Sequence, residues 1–301
     1  MLKRAVFAAS AAAIVLMVVA ATTMQSPLLA QARKSSAADP KGKPATPSDT
    51  IPPLTQAAPP VLCIDCDQPF DTSTHRELLE RLAASPYHAE LRRALYRQDI
   101  LHQFESKAHF DNCDFDSAMD YMASLLDEAG KHAAAATAAK DRNDAAATEA
   151  AAKRAFFAIG QAMHAAQDFF AHTNYVELAV PRVRTVTDLE IIAPWRPEGR
   201  VRVDALRREG LISGVVFWGF PQKCPSGTVS HGDLAKDSEQ TMSGKVRVPH
   251  MRNMSRYQVA RYLAREASTQ LMSDAFRRWP ILKELNGAAI APDLLVDRRG
   301  L

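Results

Sequence analysis

The sequence predicts a mainly α-helical protein with a single folded domain over residues 71–280, interrupted by an irregular insertion around 180–244 in which short strands are an open alternative. Three observations predict it. Leu78, Leu79 and Leu82 fall on one helical stripe behind a Ser/Thr cap. The run from Asp144 to His172 is built from Ala, Glu, Lys and Gln, all strong helix formers. A last helical segment covers Ser255 to Arg278. The 301 residues include 12 Gly and 18 Pro, with 47% hydrophobic and 24% charged residues. Those are ordinary globular values, and they exclude a collagen-like, wholly disordered or many-spanning membrane chain.

Along the chain, residues 1–32 read as an export signal. Lys3 and Arg4 precede an apolar stretch from Val6 to Ala21, and Ala30-Gln31-Ala32 matches an A-x-A cleavage site, so Arg33 is the expected mature start. The alternative is an uncleaved membrane anchor, since the apolar run of ~17 residues lies near the lower limit for spanning. The expected location is periplasmic or secreted. Residues 33–70 form a Pro/Lys/Ser-rich tether that carries Cys63 and Cys66. Helices are expected over 74–82, 89–104, 115–132, 144–172 and 255–278, and residues 281–301 form a C-terminal tail. Pro181, Pro194, Pro197, Pro221 and Pro225 make 180–244 irregular, with a short strand expected in Gly214–Phe220.

Charge narrows the partners. The formal charge is +3, but without residues 1–32 there remain 35 basic and 34 acidic residues, or +1. A nearly neutral mature body gives no reason to expect DNA or RNA. No protein partner is implied. Four cysteines suit an exported chain. Spacing alone does not fix the pairing, and the expected bridges are Cys63–Cys66 and Cys113–Cys224. A four-cysteine zinc site is the alternative, weakened by the lack of a second CxxC.

The strongest chemical signal runs from Gly160 to Tyr175 (GQAMHAAQDFFAHTNY). His164, Asp168 and His172 are spaced four apart, so on a helix they span only ~80° of one face. Three such side chains on an Ala/Phe-rich helix are costly to bury unless paired or coordinated. His164 and Asp168, ~6 Å apart along the axis, can share one ion, while His172 at ~12 Å from His164 needs another. Asp168 can then bridge. His75 opens the first helix, His109 lies in an acid-rich segment with Asp111, and His231 lies in HGDLAKD. Imidazole and carboxylate without free thiolate suit Zn²⁺ better than Mn²⁺ or Fe.

HFDNC at His109–Cys113, AMHAAQDFFAHTNYVEL at Ala162–Leu178 and HGDLAKD at His231–Asp237 resemble the Het-C (heterokaryon-incompatibility C) family. That family is related to the bacterial zinc-dependent phospholipases C, which share a helical fold with fungal single-strand nucleases. The resemblance covers roughly residues 71–278. It implies a helical domain of that type holding two or three zinc ions. Asp99, His109, His164 and Asp168 would hold a metal pair together with His75, and His172, His231 and Asp237 a further ion. Asp237 is favoured over Asp233, because the family pattern has Gly where Asp233 stands. The phospholipases also use an N-terminal Trp as a ligand, and no Trp lies near the expected mature start here. Asp99 is the expected base that steers the attacking water. Asp111, Asn174 and Tyr175 are expected to support the ligands or contact substrate. Alternatively, Asn174 is a helix C-cap and Tyr175 a core residue.

The implied activity is an exported phosphodiester hydrolase, most simply a phospholipase C with phospholipid or a membrane surface as substrate. A non-catalytic, metal-stabilised recognition protein is the alternative, and a single-strand nuclease is a weaker one. Trp195, Trp218, Phe217 and Phe220 fall in irregular segments, where they either face lipid or join the core.

Overall fold

The computed structural model describes residues 72–79, 82–83 and 87–287. The expected export signal and tether, with Cys63 and Cys66, lie outside the described residues. The domain is mainly helical: α1 (Thr72–Leu78), α2 (Tyr87–Leu101), α3 (Ser106–His109), α4 (Phe115–Asp141), α5 (Ala145–His172), α6 (Tyr175–Ala179), α7 (Pro197–Arg208), α8 (His231–Leu234), α9 (Arg256–Arg278) and α10 (Pro280–Asn286). A two-stranded antiparallel ladder, β1 (Arg247–Val248) with β2 (Met254–Ser255), leads into α9. No helix among the described residues is long and apolar enough to cross a membrane.

Helix α5 is the axis of the domain and packs against α2, α4 and α9. Its N-terminus is capped by Asp144, whose side chain accepts the Ala147 amide at 3.0 Å. From Ala158 to His172 every residue of α5 is buried. A helix enclosed on all sides needs small residues to let its neighbours approach. Ala158, Ala162, Ala165 and Ala166 provide that, and Gly160 makes the closest approach. A Cβ at Gly160 would lie 2.7 Å from Ala94 Cβ and 3.1 Å from Leu91 Cα on α2. The α2–α5 crossing therefore depends on glycine here, and α2 carries Asp99. Around the axis, Tyr87 stacks on Phe156 with centroids 4.5 Å apart, and Phe169 meets Phe110 edge-on at 5.3 Å.

Several elements differ from the sequence expectation, each for a physical reason. Residues 197–208 form a helix, because Pro197 sits at N1, where its missing N–H costs nothing and its fixed φ suits the first turn. The strand expected at Gly214–Phe220 is an extended loop with isolated pairings, Val215 to Ser230 and Phe220 to Glu105. Helix α4 continues past His132 to Asp141 through an alanine run, and the chain then turns at Asn143 (φ 56°). The start of the expected tail is the short helix α10. Helix α2 ends at Leu101 rather than Phe104, and α1 at Leu78, although Leu79 and Leu82 remain buried. The Cys113–Cys224 disulfide is present.

Replacing Gly160 by Val is expected to destabilise the domain by about 1–3 kcal/mol through overpacking against Leu91 and Ala94. Chemical denaturation would measure it, and an unchanged midpoint would show that α2 can move away freely.

Candidate metal centre

Asp168 is fully buried, and four histidines surround its carboxylate. Oδ2 lies 2.9 Å from His109 Nδ1 and 2.9 Å from His164 Nε2. Oδ1 lies 3.3 Å from His75 Nε2 and 4.0 Å from His172 Nε2. His164 Nε2 is also 3.1 Å from His109 Nδ1 and 3.5 Å from Asp99 Oδ1. Beside this group stands a second one. His172 Nε2 is 3.3 Å from Asp237 Oδ1, and His231 Nε2 is 3.5 Å from Asp237 Oδ2. Asp111 Oδ1 lies 2.9 Å from His231 Nδ1 and 3.6 Å from His172 Nδ1.

Three sets of side chains can each hold a metal ion: His75–Asp99–His164, His109–His164–Asp168 and Asp111–His172–His231, each with one ligand atom per residue within 4.8 Å of the others. A tetrahedral ion with bonds of ~2.0–2.1 Å separates its ligand atoms by roughly 3.3 Å, which matches the spacings above. The polar accounting points the same way. Asp99 Oδ2, His109 Nε2 and His164 Nδ1 are buried without a hydrogen-bond partner, and Asp168 Oδ1, His172 Nε2 and Asp237 Oδ1 have only ion-pair contacts of 3.3 Å or longer. Buried polar atoms are normally paired, so such a concentration of unpaired nitrogen and oxygen fits a cation. Cys113 and Cys224 are committed to their disulfide, which leaves an N/O donor set.

The second group divides its roles by tautomer. His172 Nδ1 lies 2.9 Å from the His109 carbonyl, which can only accept, so Nδ1 is the donor and Nε2 faces Asp237. His231 turns Nδ1 to Asp111 and Nε2 to Asp237. His231 thus stands between two carboxylates, Asp111 at Nδ1 and Asp237 at Nε2, and Asp111 with His172 and His231 forms the set whose atoms lie within 4.8 Å of one another. Asp233 is occupied elsewhere, accepting the Ser230 hydroxyl at 2.7 Å where α8 begins.

The charges interlock. Burial works against the Asp168 anion, but His164, His172 and the His109 hydrogen bond outweigh it and hold its carboxyl well below the usual range. Asp237, likewise opposed by burial, is held down to about 2 by His172 and His231. Burial disfavours charge on His172, yet Asp168, Asp111 and Asp237 push it up to about 9. His231 is raised well above its ordinary value by Asp111 and Asp237 despite burial. His164 moves the other way, lowered by burial and by the charge of His75.

Local structure explains how the loops deliver their ligands. Phe110, Asn112 and Cys113 all adopt left-handed φ near 55°, a conformation costing about 1–2 kcal/mol for a non-glycine residue. Asn112 secures this turn. Its amide donates to Ser106 Oγ, Val216 O and Gly219 O at 2.8, 3.1 and 2.9 Å, and its Oδ1 accepts the Val216 amide at 2.7 Å. Gly214 then lets the 213–216 segment lie against His231, since a Cβ there would be 2.4 Å from His231 Cα. On the far side Lys236, fully buried, donates to Thr173 O at 2.8 Å and to Leu234 O at 2.9 Å. It caps the negative end of α5 beside His172.

Every metal ligand expected from sequence lies in this cluster. Asn174 and Tyr175 do not support it. Asn174 donates to Gly210 O at 3.0 Å and accepts the Ile212 amide at 2.9 Å, so it pins the loop before Ser213. It is not a C-cap either, since α5 ends on Thr173. Tyr175 is a core residue packed on Phe169 and Phe170, its hydroxyl donating to Glu190 O at 2.6 Å. Sequence reasoning passed over Gln167, Asn112 and Lys236, because no spacing rule distinguishes a buried polar side chain from an exposed one. The arrangement is a helical domain whose buried His/Asp clusters could hold a metal ion. Compared with known proteins, the chain matches no family model, no curated protein and no solved structure.

The metal-free protein should show a pH window of stability. Asp237 contributes stability that is present above its unfolded value of 3.8 and is lost as pH falls through about 2. His172 contributes stability that is full below 6.5 and is lost as pH rises through about 9. Denaturation of chelator-treated protein is expected to give maximal stability between about pH 4 and 6.5, with a decline on either side. A profile flat from pH 6 to 10 would contradict the pairing.

Proposed function

We propose that this chain is an exported zinc-dependent phosphodiester hydrolase of the phospholipase C type, as its resemblance to the Het-C family implies. The observation that carries the reading is Asp168, a buried carboxylate with four histidine nitrogens 2.9–4.0 Å from its two oxygens. Asp99, His109, His164 and Asp168 would hold a zinc pair together with His75, and His172, His231 and Asp237 a further ion. Bound zinc would supply a water nucleophile at neutral pH and positive charge for a phosphate. Within the chain, Asp168 turns Oδ2 to His109 and His164 and Oδ1 to His75 and His172, so one carboxylate faces both groups. Asp99 contributes one oxygen at His164, and its Oδ2 is the atom we assign to take the proton of the attacking water. Asp111 keeps His231 turned toward Asp237. The disulfide fits an exported location.

A lipid is favoured over a nucleic acid by the surface beside the centre. Phe217 and Phe220 are each 68% exposed, and Phe104 and Leu101 are exposed as well. The Phe220 amide donates to Phe104 O at 3.2 Å and Phe220 O accepts the Ser106 amide at 3.3 Å, which joins these apolar side chains at the start of α3. That short helix ends on His109, and Ile100 and Leu101 directly follow Asp99. Clustered exposed apolar side chains mark an interaction surface. Trp218 is half-buried. Trp195 lies elsewhere, donating to Asp274 at 2.9 Å.

Hydrolysis of phosphatidylcholine vesicles, monomeric short-chain phosphatidylcholine and single-stranded DNA by the purified domain tests the reading. Zinc-dependent release of phosphocholine is expected, abolished by a chelator and reduced more than about 100-fold by Asp168→Asn. A Phe217→Ser, Phe220→Ser double variant should lose about 10-fold on vesicles, a difference near 1.4 kcal/mol, while keeping its rate on the monomeric lipid. Cleavage of DNA alone would make it a nuclease, and metal-loaded protein inert on all three substrates would make it a recognition protein.

A further inference from the structure

Gln167 precedes Asp168 on α5 and is fully buried, as is Ser268 on α9. Ser268 Oγ donates its single proton to the Ala264 carbonyl at 2.7 Å. With that proton committed, Ser268 can only accept from Gln167, whose Nε2 lies 2.8 Å away. The amide orientation of Gln167 is thereby fixed, and its Oε1 faces His75 Nδ1 in a close hydrogen bond. An amide oxygen can only accept, so His75 Nδ1 carries the proton. In the neutral ring the lone pair is then on Nε2, the atom 3.3 Å from Asp168 Oδ1. The ring is also held flat against His164, with centroids 4.3 Å apart.

We infer that Gln167, locked by Ser268, is a positioning residue that sets the tautomer and orientation of His75 for metal binding. The inference rests on the metal-centre reading above. It assigns α9 a part in the site although α9 contributes no ligand. It also completes a pattern: the His109 carbonyl fixes His172, Asp111 fixes His231, and an amide fixes His75. Asp168 needs His75 deprotonated at Nε2 if the two are to share an ion. A ring protonated there instead would place a hydrogen where the ion belongs.

Two measurements test it. In metal-free wild type at a pH where the ring is neutral, ¹⁵N-histidine NMR should give His75 as the Nδ1–H tautomer; finding Nε2–H would overturn the inference. Zinc titration against a chromophoric chelator, read beside circular dichroism and thermal unfolding, should show one zinc site of Gln167→Met weakened about 10- to 100-fold. Gln167→Glu, which keeps an acceptor for Nδ1, should restore most of that affinity, and Ser268→Ala should weaken it less than Gln167→Met. A purely structural role would lower the unfolding temperature of both Gln167 variants without this split. Wild-type zinc affinity in a folded Gln167→Met would overturn the inference alone. A wild type that binds no zinc would remove the metal centre and the inference with it.

Discussion

A carboxylate with no exposed surface, on a helix buried all round, is the constraint on which this structure depends. Moving an ionised carboxylate out of water costs at least several kcal/mol unless cations or donors replace the lost hydration. Asp168 meets that cost with His75, His109, His164 and His172, drawn from three helices. His75 and His109 are brought to it by α1 and α3, while α2, which carries Asp99, packs directly on α5. Small residues along α5 let those elements close in, and Gly160 is where the approach is tightest.

Asp111 and Asp237 lie in loops and His231 opens the short α8, and such segments are ordinarily the least fixed parts of a domain. Here the loop conformation is over-determined. The left-handed turn at Phe110–Cys113 is strained, and it persists because Asn112 ties it to the 213–219 segment and Cys113 is joined to Cys224. The same segment braces His231, and Lys236 draws the next stretch onto the end of α5, which places Asp237 against His172. Strain held by surrounding structure is a recurrent property of functional sites, and this turn delivers both His109 and Asp111.

Much of the centre was legible in the sequence because helical periodicity is strict. His164, Asp168 and His172 must share a face if the segment is helical, and their burial followed from the Ala/Phe composition around them. On the other elements His75, His109 and His231 stood out as histidines near acids or a helix start, and the resemblance added Asp99 and Asp237 and grouped them, since no local spacing links His75 or Asp99 to α5. Periodicity could not reveal which way a polar side chain outside the ligand set points. Asn174 looked like a ligand support and pins a loop, whereas Gln167, one residue from Asp168, looked like ordinary helix and faces His75. Helix α7 was hidden by its prolines, because the same residue ends a helix from inside and starts one from N1. The exposed phenylalanines at 217 and 220 illustrate a further limit: aromatic residues in an irregular segment carry no periodic signal of burial.

The central claim is that Asp168 and its histidines form a metal centre. The most direct test is crystallography of the zinc-loaded domain, with anomalous diffraction recorded on both sides of the zinc absorption edge. The account predicts zinc peaks in contact with Asp168 among His75, Asp99, His109 and His164, and a separate peak bounded by His172, His231 and Asp237. Zinc-saturated crystals with no anomalous peak at Asp168, and with its carboxylate still paired directly to the imidazoles, would contradict it.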